Sequence, residues 1–189
     1  MTPAFRHPRL LDRGAAVLVV IDVQESYRHV LHEYERVMAA VARLVRGAAL
    51  LGVPVLATEQ YPQGLGQTVA EIASCFPSGL VPFEKLSLSC CGAPGFLEAL
   101  GTLRRRQVVL AGIEAHACVN QTAHDLVAAG YQVHLPHDAT SSRHPGDYRI
   151  AWERMIGAGV VPTTVESALL ELVRSAEAPE FKALQKLIR

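Results

Sequence analysis

Apolar runs alternate with helical spacing along most of the chain. Residues 16–21, AVLVVI, are apolar without interruption, the pattern of a strand buried on both faces. Tyr34, Val37, Met38, Val41, Leu44, Val45 and Ala48 then recur at helical spacing, and Gly52 followed by Pro54 ends that helix. PVLAT at 54–58 reads as a second strand, and a weak third is expected near 81–83. QVVLAG at 107–112, YQVHLP at 131–136 and GVVPT at 159–163 supply the fourth to sixth. Helices are expected at 94–103, opened by Pro94, at 116–129, ended by Gly130, and at 146–158 and 165–175, with a terminal one at 178–188. Residues 59–80, rich in Gly, Pro, Gln and Ser, read mostly as loop with a short helix at 67–73. No internal repeat or low-complexity tract interrupts this order.

The alternation of strand and helix predicts an α/β protein, a three-layer α/β/α sandwich around a six-stranded parallel sheet. One domain is expected over residues 1–189, with its core at about 14–173 and a helical tail at 174–189. In such sheets ligands bind beyond the carboxyl ends of the strands. That rule singles out Asp22 and Gln24 after the first strand, Glu59, Gln60 and Tyr61 after the second, and Glu84 and Lys85 after the third. Residues 114–118 follow the fourth strand, and His137 and Asp138 the fifth.

Composition narrows the function classes. Eighteen basic residues balance eighteen acidic ones, which leaves no electrostatic footprint for nucleic acid or an anionic membrane. The run Arg104–Arg106 is expected to be a solvated helix end. No stretch approaches the roughly 20 apolar residues of a membrane helix. The N-terminal MTPAFRHPRLLDRG has no secretory apolar core. The four cysteines, Cys75, Cys90, Cys91 and Cys118, form no C-x-x-C pair, which suits reduced thiols and a cytoplasmic protein.

Cys118 is the most informative of them. It lies where the fourth strand gives way to a helix, so unpaired N–H groups and the helix dipole are expected to favour its thiolate and to hold a developing oxyanion. A small buried filler is the competing reading. Asp22 ends a wholly apolar strand, where a carboxylate needs solvent or a partner; it can serve as a general base or cap a turn. Lys85 is either a surface charge or a cation that keeps Asp22 ionised and lowers the thiol pKa. The three come from three strand ends and converge on one crevice in the expected topology. His116 is two residues from Cys118, so their side chains diverge on a helix and a Cys–His dyad is disfavoured. His134 reads as strand packing, Asp138 as a capping or turn-orienting residue, and Cys90 and Cys91 as loop thiols in preference to a redox pair. No phosphate-binding glycine loop is present.

VLVVIDVQESY, FEKLSLS and LAGIEAHACV together resemble the isochorismatase-like cysteine hydrolase superfamily. ATEQYPQGLGQTV, DATSSR and TTVES are similar to the isochorismatase-domain-containing proteins of uncertain substrate within it. The resemblance spans about residues 14–173. It implies the Rossmann-like strand order 3-2-1-4-5-6, which sets the ends of strands one and four side by side. It implies a catalytic triad at Asp22, Lys85 and Cys118, and a cis peptide joining Ile113 to Glu114 that aims N–H groups near Ala115 and Cys118 at an oxyanion. It also implies a homo-oligomer, dimer or tetramer. The metal-binding Asp-x-His of related nicotinamidases is replaced here by TEQYPQG, so neither a metal nor another cofactor is expected. Isochorismatases proper lack the cysteine that Cys118 supplies.

The function expected is a metal-free hydrolase of a small amide or related C–N bond, working through a thioester on Cys118. Gln24, Tyr61 and Glu114 are expected to line the pocket of a small-molecule substrate. The competing expectations are a non-catalytic scaffold that retains the hydrolase fold and a thiol redox protein.

Overall fold

The computed structural model describes residues 6–189; what was read from residues 1–5 of the N-terminal stretch lies outside the described residues. In chain order the regular elements begin with β1 (Ala16–Ile21), α1 (Tyr34–Leu50), β2 (Val55–Gln60), α2 (Pro62–Leu65), α3 (Ala70–Ala73), β3 (Phe83–Lys85), α4 (Phe96–Thr102) and β4 (Gln107–Ile113). They continue with α5 (Asn120–Ala128), β5 (Gln132–Pro136), β6 (Thr140–Ser141), α6 (Pro145–Gly157), β7 (Val161–Thr163), α7 (Val165–Val173) and α8 (Phe181–Ile188).

The strands pair in parallel in the order β3-β2-β1-β4-β5-β7, which is the expected order for the six principal strands. A seventh was not expected: the two residues of β6 pair beside Gly112 and Ile113 of β4. Thr140 and Ser141 are too few and too polar to leave an apolar signal. The third strand is displaced from 81–83 to Phe83–Lys85, so Lys85 closes that strand, and Val81 is left exposed. Pro162 sits in edge strand β7, where the missing N–H costs no ladder bond.

Successive residues of β1 point to opposite faces, and both faces are covered. Ala16, Leu18 and Val20 meet a layer containing α1, α3, α7 and α8; Val17, Val19 and Ile21 meet one containing α4, α5 and α6. Gly47 lets α1 approach α7, since a Cβ there would stand 2.4 Å from Leu169. Gly112 does the same for the sheet: with φ +116, a side chain would meet the Ile21 carbonyl oxygen at 2.1 Å. The two strand ends that carry the candidate site are therefore held closer than any other residue would permit. Among the described residues, no helix is long and apolar enough to cross a membrane.

The arginine run does more than face solvent. Arg105 donates to the backbone carbonyl of Ala16 at 2.8 Å and to that of Arg13, and Arg106 lies over the Tyr131 ring at 5.6 Å. The loop between β2 and β3 contains two short helices in place of the single one expected at 67–73. An antiparallel bridge from Thr68 to Gln24 ties it to the body.

Candidate active site

Four strand ends meet at one level. Ile21 pairs with Thr58 and Gly112, and Gln60 pairs with Lys85, so the residues at or just past these positions share one edge of the sheet. Asp22 leaves β1 with φ +51 and Tyr61 leaves β2 with φ +38, both in the left-handed region. Asp tolerates that conformation better than a bulky residue does, and each turn carries the chain out of the sheet toward the site.

Asp22 and Lys85 form a buried ion pair, Nζ to Oδ2 at 2.6 Å, with side chains 2% and 0% exposed. The other Asp22 oxygen accepts from the Thr58 hydroxyl at 2.7 Å. The ammonium also donates to Gln60 Oε1 at 2.6 Å and reaches the carbonyls of Leu88 at 3.1 Å and Ser87 at 3.3 Å. A buried charge persists only with such saturation. Cys118 Sγ lies 3.9 Å from the same Gln60 Oε1 and is 5% exposed at the residue level. The structure thus brings together the three residues expected to converge.

The expectation of a lowered thiol pKa is overturned. Burial pushes the Cys118 thiol up to about 12, and the Asp22 charge adds to it; the opposing pull of Lys85 is outweighed. The local backbone differs as well. Residues 115–119 form one π-helical turn, with the Val119 N–H donating to the Glu114 carbonyl at 3.2 Å, and the α-helix starts only at Asn120. The Ile113–Glu114 peptide is cis, as the resemblance implied.

The remaining candidates separate. Glu114 is buried, and its Oε1 accepts from the Arg143 backbone N–H and from Arg143 Nε, both at 3.0 Å. Gln24, expected in the pocket, is fully buried, with its polar ends spent on the backbone of Gln60 and Gly66. Tyr61 is half exposed and lines a cavity of about 450 Å³ with Pro62, Leu86, Pro94 and part of Lys85. A second cavity, about 490 Å³, lies among Glu59, Thr68, Phe76, Leu80 and Glu84. Cys118 lines neither of these two cavities.

His116 turns to Ser142, Nδ1 to Oγ at 2.9 Å. His134 lies within β5, bonded to Gln132. Asp138 accepts from Val165 N–H at 2.9 Å and so caps α7. Cys90 is buried in a 3₁₀ turn, its sulfur 3.5 Å from the Thr58 hydroxyl, and burial raises its thiol to about 11. All four cysteines are free. Tyr27 is a further neighbour: its phenol is pushed up to about 12 by burial and by the charges of Glu114, Cys118 and Asp22. Sequence reasoning gave no role to Thr58 or Tyr27, and none to Gln60 beyond its place after a strand. The signal for Thr58 was its position at a strand end, which neutral polar chemistry did not reinforce.

A protein-family model for the isochorismatase domain matches residues 16–167. Isochorismatase domain-containing protein 2 of Homo sapiens is 42% identical over 177 residues, covering 93% of this chain and 84% of the relative. Isochorismatase domain-containing protein 1 of Salmo salar is 40% identical over 176 residues, covering 93% of this chain; the chain spans 62% of that relative's length. A solved structure named MAR1 ribonuclease from Caenorhabditis elegans superposes with a TM-score of 0.91 at 36% identity, covering 95% of this chain and 92% of the other.

Proposed function

The chain belongs to the isochorismatase domain family, and from that premise we propose a cysteine hydrolase that cleaves a small amide or related C–N bond without a metal. The observation that carries this reading is the buried Asp22–Lys85 ion pair at 2.6 Å, joined through Gln60 to a barely exposed Cys118.

With the thiol held near 12, a free thiolate is scarce at neutral pH. Proton transfer therefore accompanies attack. Asp22 takes the S–H proton as sulfur bonds to the carbonyl carbon, and the π electrons move to oxygen. Backbone N–H groups of Ala115 and Cys118 hold that oxyanion, beside the cis Ile113–Glu114 peptide. The C–N bond breaks as Asp22 returns the proton to the leaving nitrogen, which leaves a thioester. Water then gives a proton to Asp22 and attacks; the C–S bond breaks and the sulfur regains the proton. Lys85 remains bonded to Asp22 and fixes the carboxylate that moves the proton. Tyr61 and Glu114 border the substrate.

Ammonia release from a panel of small amides and ureas tests this. The Cys118→Ala variant is expected to lose turnover by at least ~10³-fold with its thermal transition nearly unchanged. Turnover equal to wild type would exclude the mechanism, and no turnover on any substrate would favour a scaffold.

A second reading comes from the likeness to the Caenorhabditis elegans structure named a ribonuclease, and would make RNA the substrate. The balance of 18 basic and 18 acidic residues argues against an RNA track. Cleavage of a fluorogenic RNA by wild type and by Cys118→Ala alike would support it. We also propose a cytoplasmic homo-oligomer, supported by free thiols and by the exposed Leu86, Val81 and Tyr61 along the β3 edge.

A further inference from the structure

We propose that Gln60 is a positioning residue of this site, whose side-chain amide parks the Cys118 S–H and braces the Lys85 ammonium. This rests on the hydrolase reading above, in which sulfur is the nucleophile.

The amide has one allowed orientation. Oε1 accepts from Lys85 Nζ at 2.6 Å, and Nε2 donates to the Leu86 carbonyl at 3.0 Å. Turning it over would set N–H against ammonium and oxygen against carbonyl oxygen. The atom that faces Cys118 Sγ at 3.9 Å is therefore an acceptor only. It can receive an S–H and cannot donate to a thiolate.

The backbone beneath is fixed as well. Gln24 Oε1 accepts from Gln60 N–H at 2.8 Å, while Gln24 Nε2 donates to the Gln60 carbonyl at 3.0 Å and to the Gly66 carbonyl at 2.6 Å. Gln24 is fully buried and its own orientation is set by the same bonds. The pair behaves as a clamp: Gln24 fixes Gln60, and Gln60 fixes the sulfur and the ammonium. The charged or titratable groups that face the thiol from other elements are Asp22 after β1, Lys85 at the end of β3 and Tyr27 in the turn that follows Asp22. Gln60 is the neutral member among them, so it holds the proton on sulfur without competing for it. Asp22 takes the proton once a carbonyl is in place.

Iodoacetamide alkylation of Cys118 across pH, read by peptide mass spectrometry, tests this without a substrate. Gln60→Leu removes the acceptor that faces the S–H, while Lys85 keeps Asp22 and the Ser87 and Leu88 carbonyls as partners, so Cys118 should alkylate about tenfold faster at a given pH. Gln60→Glu sets a second carboxylate against the sulfur, so alkylation should slow about tenfold. Buried Cys90 is the internal control for loosening. A Gln60→Leu gain at Cys118 with Cys90 unlabelled supports the proposal, and it stands even if the Glu variant does not fold. Rates that overlay wild type, or Cys90 labelling that rises in parallel, overturn it. Where a substrate is in hand, both variants should lower kcat with KM nearly unchanged. Turnover retained in Cys118→Ala would instead sink the hydrolase reading, and the alkylation profiles would still decide the role of Gln60.

Discussion

The sheet carries buried polar groups at both ends, and they do different work. At the carboxyl end, Asp22, Lys85, Thr58, Gln60 and Cys118 form a network with an ion pair at its centre and a thiol at its margin. At the amino end, Gln107 Nε2 donates to Gln132 Oε1 at 2.8 Å and to the Leu10 carbonyl at 3.0 Å, and Gln107 Oε1 accepts from Asp12 N–H at 2.7 Å. His134 Nε2 adds to Gln132 at 2.9 Å, while its Nδ1 has no partner among the described residues. The second network ties the N-terminal segment to the sheet with neutral amides. Burial and hydrogen bonding are common to both. A charge pair beside a thiol, with backbone that turns away from the strands, distinguishes the first. Polar burial alone therefore does not mark a site; the kind of group does.

The contrast can be broken by mutation. Lys85→Met leaves the Asp22 carboxylate buried without its counter-charge and should cost about 3–5 kcal/mol in denaturant unfolding. Combining it with Asp22→Asn should cost less than the sum of the single changes, because the stranded charge is gone. Additive losses would show that the two groups act independently.

His134 is expected to have the next largest effect, through pH. Burial lowers its pKa from 6.5 to about 4. The unfolded chain therefore takes up a proton below about 6.5 while the folded one does not. The stability associated with a neutral His134 is present above 6.5 and falls away as pH drops toward 4, by up to about 3 kcal/mol. His134→Phe should flatten that part of the pH profile; an unchanged slope would contradict the assignment.

Gln107→Leu at the amino end should cost about 1–3 kcal/mol, from backbone groups left unpaired, with turnover at folded temperatures unaffected. A loss of activity there, with stability intact, would erase the distinction between the two ends.

Much of the carboxyl end was legible in the chain. AVLVVI and QVVLAG have no polar interruption, so their ends stood out, and with them Asp22 and Cys118. Lys85 was legible as a strand-end residue although its strand was set two residues early: the exposed Val81 is apolar, and the pattern counted it. Gln60 and Thr58 needed register, since only the pairing of β2 with β1 and β3 places them against Asp22 and Lys85. The direction of the thiol pKa was missed for a related reason. A helix terminus near a lysine argues for a thiolate, but depth and the Asp22 charge enter only with three dimensions. The bonds of Gln24 were hidden likewise, because a glutamine after a strand looks the same whether it faces substrate or clasps backbone.

The central claim is that Cys118 carries a covalent acyl group during turnover. Rapid acid quench of the working enzyme, followed by mass spectrometry of the peptide that contains residue 118, tests it most directly. The account predicts the substrate's acyl mass on Cys118, absent without substrate and absent in Cys118→Ala. Steady turnover with an unmodified Cys118 peptide, retained in Cys118→Ala, would contradict it.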